Sequence, residues 1–218
     1  MRHRHTPEKC NLVLVALGGN VNGQMDSPIA QIDAAIHQIF QAGLGLERVS
    51  RMWNTPAFPA GSGPDFVNAA LACVTDLAPT RILERLHDIE EQAGRVRGAR
   101  WAARVIDLDL LAVGDLVLPD IDHYRQWAGL PLAEQMKRTP DELILPHPRM
   151  QDRAFVLVPL MDIAPDWRHP VSGRTVTEMH AALCPEDIAQ VVPVSHEIHT
   201  DIGVHGLSCA PMHSRHGA

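Results

Sequence analysis

The chain has 218 residues, a formal net charge of -7 and 45 % hydrophobic residues, with 4 % aromatic ones. This length fits one domain with some elaboration, and the hydrophobic fraction suffices for a buried core. The negative charge argues against broad nucleic-acid binding, which needs a basic surface. No stretch reaches the ~18 apolar residues that span a bilayer, and the cysteines are widely spaced. We therefore expect a cytoplasmic protein with no nucleic-acid or membrane partner, and separately we expect a monomer.

Residues 12–113 alternate between short apolar runs and helical patterns. Strands are predicted at 12–17, 46–53, 66–74 and 105–113, and helices at 28–40 and 78–91. In chain order the elements are strand, helix, strand, strand, helix and strand, which predicts an α+β, ferredoxin-like βαββαβ sandwich. Residues 116–118 are a candidate hairpin partner for the last of these strands.

Beyond residue 119 the pattern changes. Residues 120–142 are polar and are interpreted as an insertion with one short helix near 132–137. C-terminal helical additions are predicted at 154–163 and 176–183. We place the domain at residues 1–184. Residues 185–218 form a C-terminal extension that we expect to be flexible, because it has no sustained periodicity and its histidines match no structural zinc spacing.

Asp107 and Asp109 lie two residues apart within the apolar strand predicted at 105–113. Alternate residues of a strand point to the same face, ~6.5–7 Å apart, so the carboxylates share one face while Leu108 and Leu110 share the other. A divalent cation would relieve the repulsion between the carboxylates, and all-oxygen ligands favour Mg²⁺ or Mn²⁺ over zinc. The alternative is a solvated sheet face, which a carboxylate pair alone does not exclude.

A basic segment directly precedes this strand. It contains Arg95, Arg97, Arg100 and Arg104 around Trp101. Guanidinium groups can bind a phosphate chain from one side while a metal ion binds it from the other. Beside the carboxylate pair, the segment therefore indicates a phosphate-binding site, although taken alone it is equally compatible with a solvated run of charges.

Three further features are weaker signals. Gly18-Gly19-Asn20 follows the first strand, where backbone can approach a ligand closely, although many strand-to-helix turns look alike. Phe66 and Asn68 follow a Pro/Gly loop and could stack on and hydrogen-bond a flat heterocycle, or simply anchor the loop. His147 lies near a predicted helix start, which suits anion binding, although it could equally be structural.

Taken in order, these segments resemble the 6-hydroxymethyl-7,8-dihydropterin pyrophosphokinase family of folate biosynthesis. The resemblance extends from Leu12 to about Pro165. It rests on Ala16-Leu17-Gly18-Gly19-Asn20, Thr55-Pro56, Asp65-Phe66-Val67-Asn68-Ala69-Ala70, Ile89-Glu90, Gly94-Arg95-Val96-Arg97, Arg100-Trp101-Ala102-Ala103-Arg104, Asp107-Leu108-Asp109, Pro146-His147 and Arg153-Ala154-Phe155. The segment 104–109 is the most specific of these motifs.

The resemblance implies a ferredoxin-like fold and transfer of the terminal pyrophosphoryl unit of ATP to the pterin hydroxymethyl oxygen, with release of AMP. It implies two Mg²⁺ ions held by Asp107 and Asp109, with ATP as co-substrate. Arg95 and Arg104 would assist catalysis by binding phosphates. The implied ATP-binding residues are Glu90, Arg97, Trp101, His147 and Arg153. The implied pterin-binding residues are Thr55, Phe58, Phe66, Asn68 and Phe155.

Two other classes of function stay open from the residues alone. One is a non-catalytic ferredoxin-like domain that has kept a nucleotide pocket, although such a domain would be expected to lose Asp107 or Asp109. The other is a different two-metal phosphoryl or nucleotidyl transferase. For that class, a flat-ring clamp built from residues 55–68 and Phe155 would be superfluous. The carboxylates and the ring-binding residues together favour the pyrophosphokinase.

Overall fold

The computed structural model describes residues 10–57, 63–94, 104–135 and 137–195, and its centre is an antiparallel sheet. The strands are β1 (Asn11–Gly19), β2 (Gly45–Val49), β3 (Trp53–Thr55), β4 (Phe66–Thr75), β5 (Asp107–Val113) and β6 (Val192–Pro193). Their order is β5-β1-β4-β3-β6, and β2 pairs with the other end of β4. The predicted βαββαβ plan is confirmed, with β2 and β3 together forming its second strand.

Two helices cover one face of this sheet. They are α1 (Pro28–Gln41) and α2 (Pro79–Gln92). Each has proline in its first turn, where a missing N–H costs no helical hydrogen bond. Their apolar stripes pack on the odd-numbered residues of β1 and β4, so that Ile36, Leu86, Val15 and Leu71 share one core.

The opposite face is covered by the C-terminal part of the chain. A short 3-10 turn (Met150–Asp152) leads into α5 (Ala154–Ile163), which α6 (Val176–His180) follows. Leu157 and Leu160 of α5 pack against Leu14 of β1 and Ala70 of β4. The predicted C-terminal helical additions therefore form a second layer on the sheet. Within the described ranges, no helix is both long and apolar enough to cross a bilayer.

Two strand predictions were wrong in detail. The predicted strand 46–53 is interrupted at Ser50, whose N–H donates to Ala70 O at 2.9 Å and whose hydroxyl accepts from Ala70 N–H at 2.8 Å. Because the side chain replaces one backbone partner, the chain divides here into β2 and β3. Residues 116–118 were wrongly predicted as a hairpin partner for β5, since Leu118 exchanges backbone hydrogen bonds with Leu145 instead.

The insertion at 120–142 contains two helices, α3 (Ile121–Ala128) and α4 (Leu132–Gln135), where the sequence predicted one. A buried tyrosine attaches α3 to the domain, because the Tyr124 hydroxyl lies 2.9 Å from His169 Nε2. Tyr124 is the residue that α3 buries, and its contact with His169, 45 residues away, depends on tertiary packing.

Part of the predicted C-terminal extension packs on the domain. After α6 the chain forms α7 (Pro185–Ala189) and β6, and β6 pairs with β3. Val191 is buried together with Trp53 and Ala154. Residues 185–195 thus belong to the packed domain, which moves its boundary beyond the predicted residue 184. Residues 196–218 lie outside the described residues, and the flexibility expected of them stays a prediction.

Candidate active site

Strand β5 carries Asp107 and Asp109 on the sheet face that lies away from α1 and α2. Leu108 and Leu110 are buried in the core that contains these helices, as the alternation predicted. The side chains of Asp107 and Asp109 are 19 % and 36 % exposed. The carboxylates therefore stand on a buried strand but can be reached from solvent.

Two arginines lie beside these carboxylates. The Arg104 guanidinium forms an ion pair with Asp107, and Arg153 Nη1 lies 3.7 Å from Asp109 Oδ2. Arg153 also lies over the ring of Phe155, 5.4 Å from its centroid. Fixed cations next to carboxylates form an arrangement that can accept a polyanion together with a divalent metal ion.

The sheet continues from Asp107 towards an amide on the far side of β1. Gly18 of β1 pairs with Asp107 on one side and with Asn68 of β4 on the other. Because neighbouring strands lie ~4.8 Å apart, the Cα atoms of Asp107 and Asn68 are ~10 Å apart. A Cβ at Gly18 would lie 3.0 Å from Asn68 Oδ1, so glycine makes room for the amide. Asn68 is 5 % exposed, and its Nδ2 donates to Thr55 Oγ1 at 2.9 Å.

Two phenylalanines belong to the same side of the sheet. Phe66 begins β4 two residues before Asn68, and Phe155 is in the first turn of α5 with 40 % of its surface exposed. Trp53 pairs with Asn68 and packs in a small apolar cluster with Ala154, so it holds the start of α5 beside β3 and β4. Aromatic rings and a polar amide thus lie on neighbouring elements, as a flat polar ring would require.

His147 lies in the segment before the 3-10 turn. Its backbone N–H donates to Leu111 O at 2.7 Å, which fixes this segment along β5. Its Nδ1 accepts from the Arg149 N–H at 3.2 Å, so the ring proton of the neutral imidazole is on Nε2. Burial lowers the pKa of His147 to about 3, and the positive charges of Arg153 and Arg149 act in the same direction. His147 is therefore a neutral N–H donor at pH 7.

This lowered pKa predicts an acid-dependent loss of stability. Unfolded chains bind a proton at His147 below pH ~6.5, whereas the folded chain does not until about pH 3, so stability falls as the pH falls through this window. Between pH 7 and pH 5 we expect the wild type to lose about 2 kcal/mol more than His147→Asn, measured by urea unfolding. The matched control His37→Asn, at an exposed position on α1, is expected to follow the wild type. Equal losses in wild type and His147→Asn would contradict the assignment.

Comparison with known proteins identifies the family. Residues 14–165 match the family model described as 7,8-dihydro-6-hydroxymethylpterin-pyrophosphokinase (HPPK). The chain belongs to this family. Pyrophosphate transfer to hydroxymethyldihydropterin in folate synthesis is the function that this membership supports.

Individual members of the HPPK family match most of the chain. The 2-amino-4-hydroxy-6-hydroxymethyldihydropteridine pyrophosphokinase of Synechocystis sp. is 36 % identical over 79 % of this chain and 76 % of its own length. The protein of the same name from Pseudomonas aeruginosa is 37 % identical over 83 % of this chain and 96 % of its own length. The similarity therefore extends over nearly the whole length of the Pseudomonas enzyme.

Solved structures of the family confirm the fold. A crystal structure of Plasmodium falciparum HPPK-DHPS is similar with a TM-score of 0.56 and 15 % identity, covering 81 % of this chain. The chain spans 46 % of that Plasmodium chain, and this likeness concerns the fold alone. The predicted ferredoxin-like architecture is thus one that solved HPPK structures also have.

Four residues that the family resemblance implicated lie outside the described residues. They are Phe58, Arg95, Arg97 and Trp101. Arg100 of the same basic segment also lies outside the described residues. Among the implicated residues that the structure describes, Glu90 is buried and hydrogen-bonded to the backbone. It is 3 % exposed, and its Oε1 accepts the Leu108 N–H at 2.7 Å. Glu90 thus holds β5 between the two carboxylates, whereas its predicted contact with ATP stays a prediction.

Asn20 is a buried residue beside this candidate site that the sequence analysis did not single out by itself. It is 5 % exposed and hydrogen-bonds both Arg104 and Pro64. The signal in the sequence was the Gly18-Gly19-Asn20 motif, which we interpreted as a place of close ligand approach. In the structure the motif approaches other parts of the chain, and its approach to a ligand stays a prediction.

Among the described residues, no group of three or more His, Cys, Asp or Glu side chains is arranged to hold a metal ion. Two carboxylates such as Asp107 and Asp109 would suit an ion that takes its other ligands from water or substrate. Mg²⁺ in nucleotide sites is usually coordinated in this way, by one or two carboxylates together with phosphate oxygens.

Proposed function

We propose that this chain transfers the pyrophosphoryl group of ATP to 6-hydroxymethyl-7,8-dihydropterin and releases AMP. The observation that carries the proposal is the pairing of Gly18 with both Asp107 and Asn68. A site for charged phosphates and a site for a flat polar ring are thereby separated by one strand. A donor triphosphate and an acceptor pterin bound to these two sites would meet between them.

The proposed metal site consists of Asp107 and Asp109, which would hold two Mg²⁺ ions together with the phosphate oxygens of ATP. The donor set fits this ion, because both side chains supply oxygen and both are partly exposed. When bound, the ions neutralise charge on the triphosphate and make the attacking hydroxyl a better nucleophile.

The proposed nucleotide site uses the cationic groups around these carboxylates. Arg104 and Arg153 are already adjacent to Asp107 and Asp109, and can bind phosphate oxygens from the opposite side. His147 can donate its Nε2 proton to an anion without carrying charge. We assign further contacts with ATP to Glu90, Arg95, Arg97 and Trp101 on the strength of the family resemblance.

The proposed pterin site uses the polar amide and the aromatic rings. Asn68 would hydrogen-bond the polar edge of the ring, while Phe66 and Phe155 would stack on its faces. The Thr55 hydroxyl fixes the Asn68 amide, and both side chains are almost fully buried. The backbone around Phe58 is assigned to the same site from the resemblance.

The chemistry needs no covalent intermediate with the protein. The hydroxymethyl oxygen would form a bond to the β-phosphorus and release its proton to water, while the bond from this phosphorus to the α-phosphate oxygen breaks and AMP leaves with that oxygen. Such an in-line transfer depends on positioning and charge stabilisation, which the arginines and the buried amide provide.

One experiment tests the proposed function. The full chain is incubated with ATP, Mg²⁺ and 6-hydroxymethyl-7,8-dihydropterin, and the nucleotide product is identified by chromatography. AMP in equal amount to the pterin diphosphate supports the proposal. ADP would identify ordinary kinase chemistry, and no turnover would favour a binding domain. The cytoplasmic location and the monomeric state stay predictions from the sequence.

Replacing Phe155 by alanine is expected to weaken pterin binding roughly 30-fold, about 2 kcal/mol, because one stacking face is lost. ATP binding should change less than about threefold. Titration calorimetry with each substrate measures both affinities. Phe40→Ala is the matched control, since Phe40 is 39 % exposed against 40 % for Phe155 but lies on α1. Equal losses for the two substrates would contradict the stacking role.

A further inference from the structure

The Asn20 side chain joins three parts of the chain that are distant in sequence. Its Oδ1 accepts the backbone N–H of Arg104 at 2.8 Å, and its Nδ2 donates to Pro64 O at 3.0 Å. Its own backbone N–H donates to Arg104 O at 2.9 Å. Both side-chain partners are backbone groups of fixed polarity, so they determine the orientation of the amide.

The surrounding turn makes further contacts with distant parts of the chain. A Cβ on Gly19 would lie 2.7 Å from Val105 O, so the backbone of the turn approaches the start of β5 as closely as glycine permits. Gln24 Nε2 donates to Gln92 O at 2.7 Å at the end of α2. The turn after β1 therefore contacts the chain on both sides of the segment whose arginines are predicted to bind phosphate.

We propose that Asn20 is a positioning residue that sets the distance between the phosphate site and the pterin site. One half of its amide fixes the backbone of Arg104, whose guanidinium pairs with Asp107. The other half fixes Pro64, two residues before Phe66. This inference rests on the proposed function and adds a residue that touches neither substrate.

Loss of the two side-chain hydrogen bonds of Asn20 should affect the alignment of the substrates and not the binding of each substrate alone. Each site keeps its own ligand-contacting side chains when Asn20 is changed, so each substrate alone should still bind. What changes is the alignment of the two substrates in the ternary complex, and a misplacement of ~1 Å can lower a rate by about 10²-fold. The effect should therefore be found in kcat and not in the two binary affinities.

The test compares two variants with the wild type. Asn20→Ala removes both bonds, and we expect kcat to fall roughly 30-fold while the dissociation constants of ATP and pterin change less than about threefold. Asn20→Asp keeps an oxygen acceptor for the Arg104 N–H but loses the donor to Pro64 O, so its kcat should fall roughly 5-fold. Asn22→Ala is the matched control, because Asn22 is an exposed amide on the same turn, and its kcat should stay within about twofold.

Each outcome decides the inference. The order wild type, Asn20→Asp, Asn20→Ala in kcat, with nearly constant dissociation constants, supports it. A kcat within twofold of wild type in Asn20→Ala overturns it, as does a loss confined to substrate affinity. If Asn20→Ala lacks a cooperative thermal transition, Asn20→Asp decides by the same criteria. If both lack one, the inference is overturned, because Asn20 would then be required for the fold itself.

The same assay separates this inference from the proposed function. If wild type produces no AMP from ATP and 6-hydroxymethyl-7,8-dihydropterin, the proposed function fails. If wild type is active and Asn20→Ala is equally active, only the positioning role fails.

Discussion

Asp107→Asn and Asp109→Asn are each expected to lower kcat by at least about 10³-fold, or ~4 kcal/mol in activation free energy, with the fold intact. Asparagine has nearly the same shape as aspartate, so packing along β5 should not change. What disappears is one negative charge from a pair that would hold divalent ions against the triphosphate. The partial exposure of both side chains means that no buried charge has to be compensated for the variants to fold. Steady-state assays of AMP release and thermal unfolding measure the two properties.

The control for this prediction is Asp115→Asn. Asp115 is an exposed carboxylate on the turn that follows the same strand, and its replacement should leave kcat within about twofold. Titration calorimetry of Mg²⁺ with a non-hydrolysable ATP analogue should also show weaker metal uptake in Asp107→Asn and Asp109→Asn than in the control. Activity near the wild-type level in either active-site variant would refute the metal assignment.

The strand pattern around Asp107 was predictable because strand geometry alone decides it. A period of two places Leu108 and Leu110 in the core, which leaves Asp107 and Asp109 on the other face. The overall βαββαβ order was predictable for the same reason, since each of its helices has an apolar stripe wide enough to identify.

Other features depend on contacts that no local pattern encodes. Asn20 bonds to Pro64 and Arg104, which are 44 and 84 residues away. In the sequence, Glu90 is a polar residue near the end of an amphipathic helix. In the structure its carboxylate is buried and accepts the Leu108 N–H. The partner of a polar side chain is set by tertiary packing, so the sequence could name these residues through family resemblance but not the hydrogen bonds that they form within the chain.

The sequence analysis predicted too little secondary structure in the C-terminal region, for a related physical reason. α7 and β6 are short and contain no buried residue, and Val191, which lies between them, is buried in the cluster with Trp53. Elements of this size have no periodicity to detect, and they form because an existing apolar surface receives them. That surface includes Ala154 at the start of α5, so the region supports the helix turn that carries Phe155.

Replacing Glu90 by alanine is expected to destabilise the chain by about 3 kcal/mol, which lowers Tm by roughly 6–12 °C. Glu90 is 3 % exposed, so its loss leaves a cavity and an unpaired N–H at Leu108. Glu90→Gln should cost less than about 1 kcal/mol, because the amide oxygen can still accept this bond. Glu91→Ala, at the exposed neighbouring position, is the control and should stay within ~0.5 kcal/mol of wild type.

Activity measured on the same Glu90 variants distinguishes a support for β5 from a contact with ATP. Leu108 lies between Asp107 and Asp109, so a loosened Leu108 N–H displaces both carboxylates at once and should lower kcat in Glu90→Ala. Glu90→Gln preserves the support and should keep kcat within about threefold of wild type. If Glu90→Gln instead raises the KM for ATP strongly at unchanged Tm, the carboxylate charge acts on the nucleotide and the contact implied by the family resemblance is the dominant one.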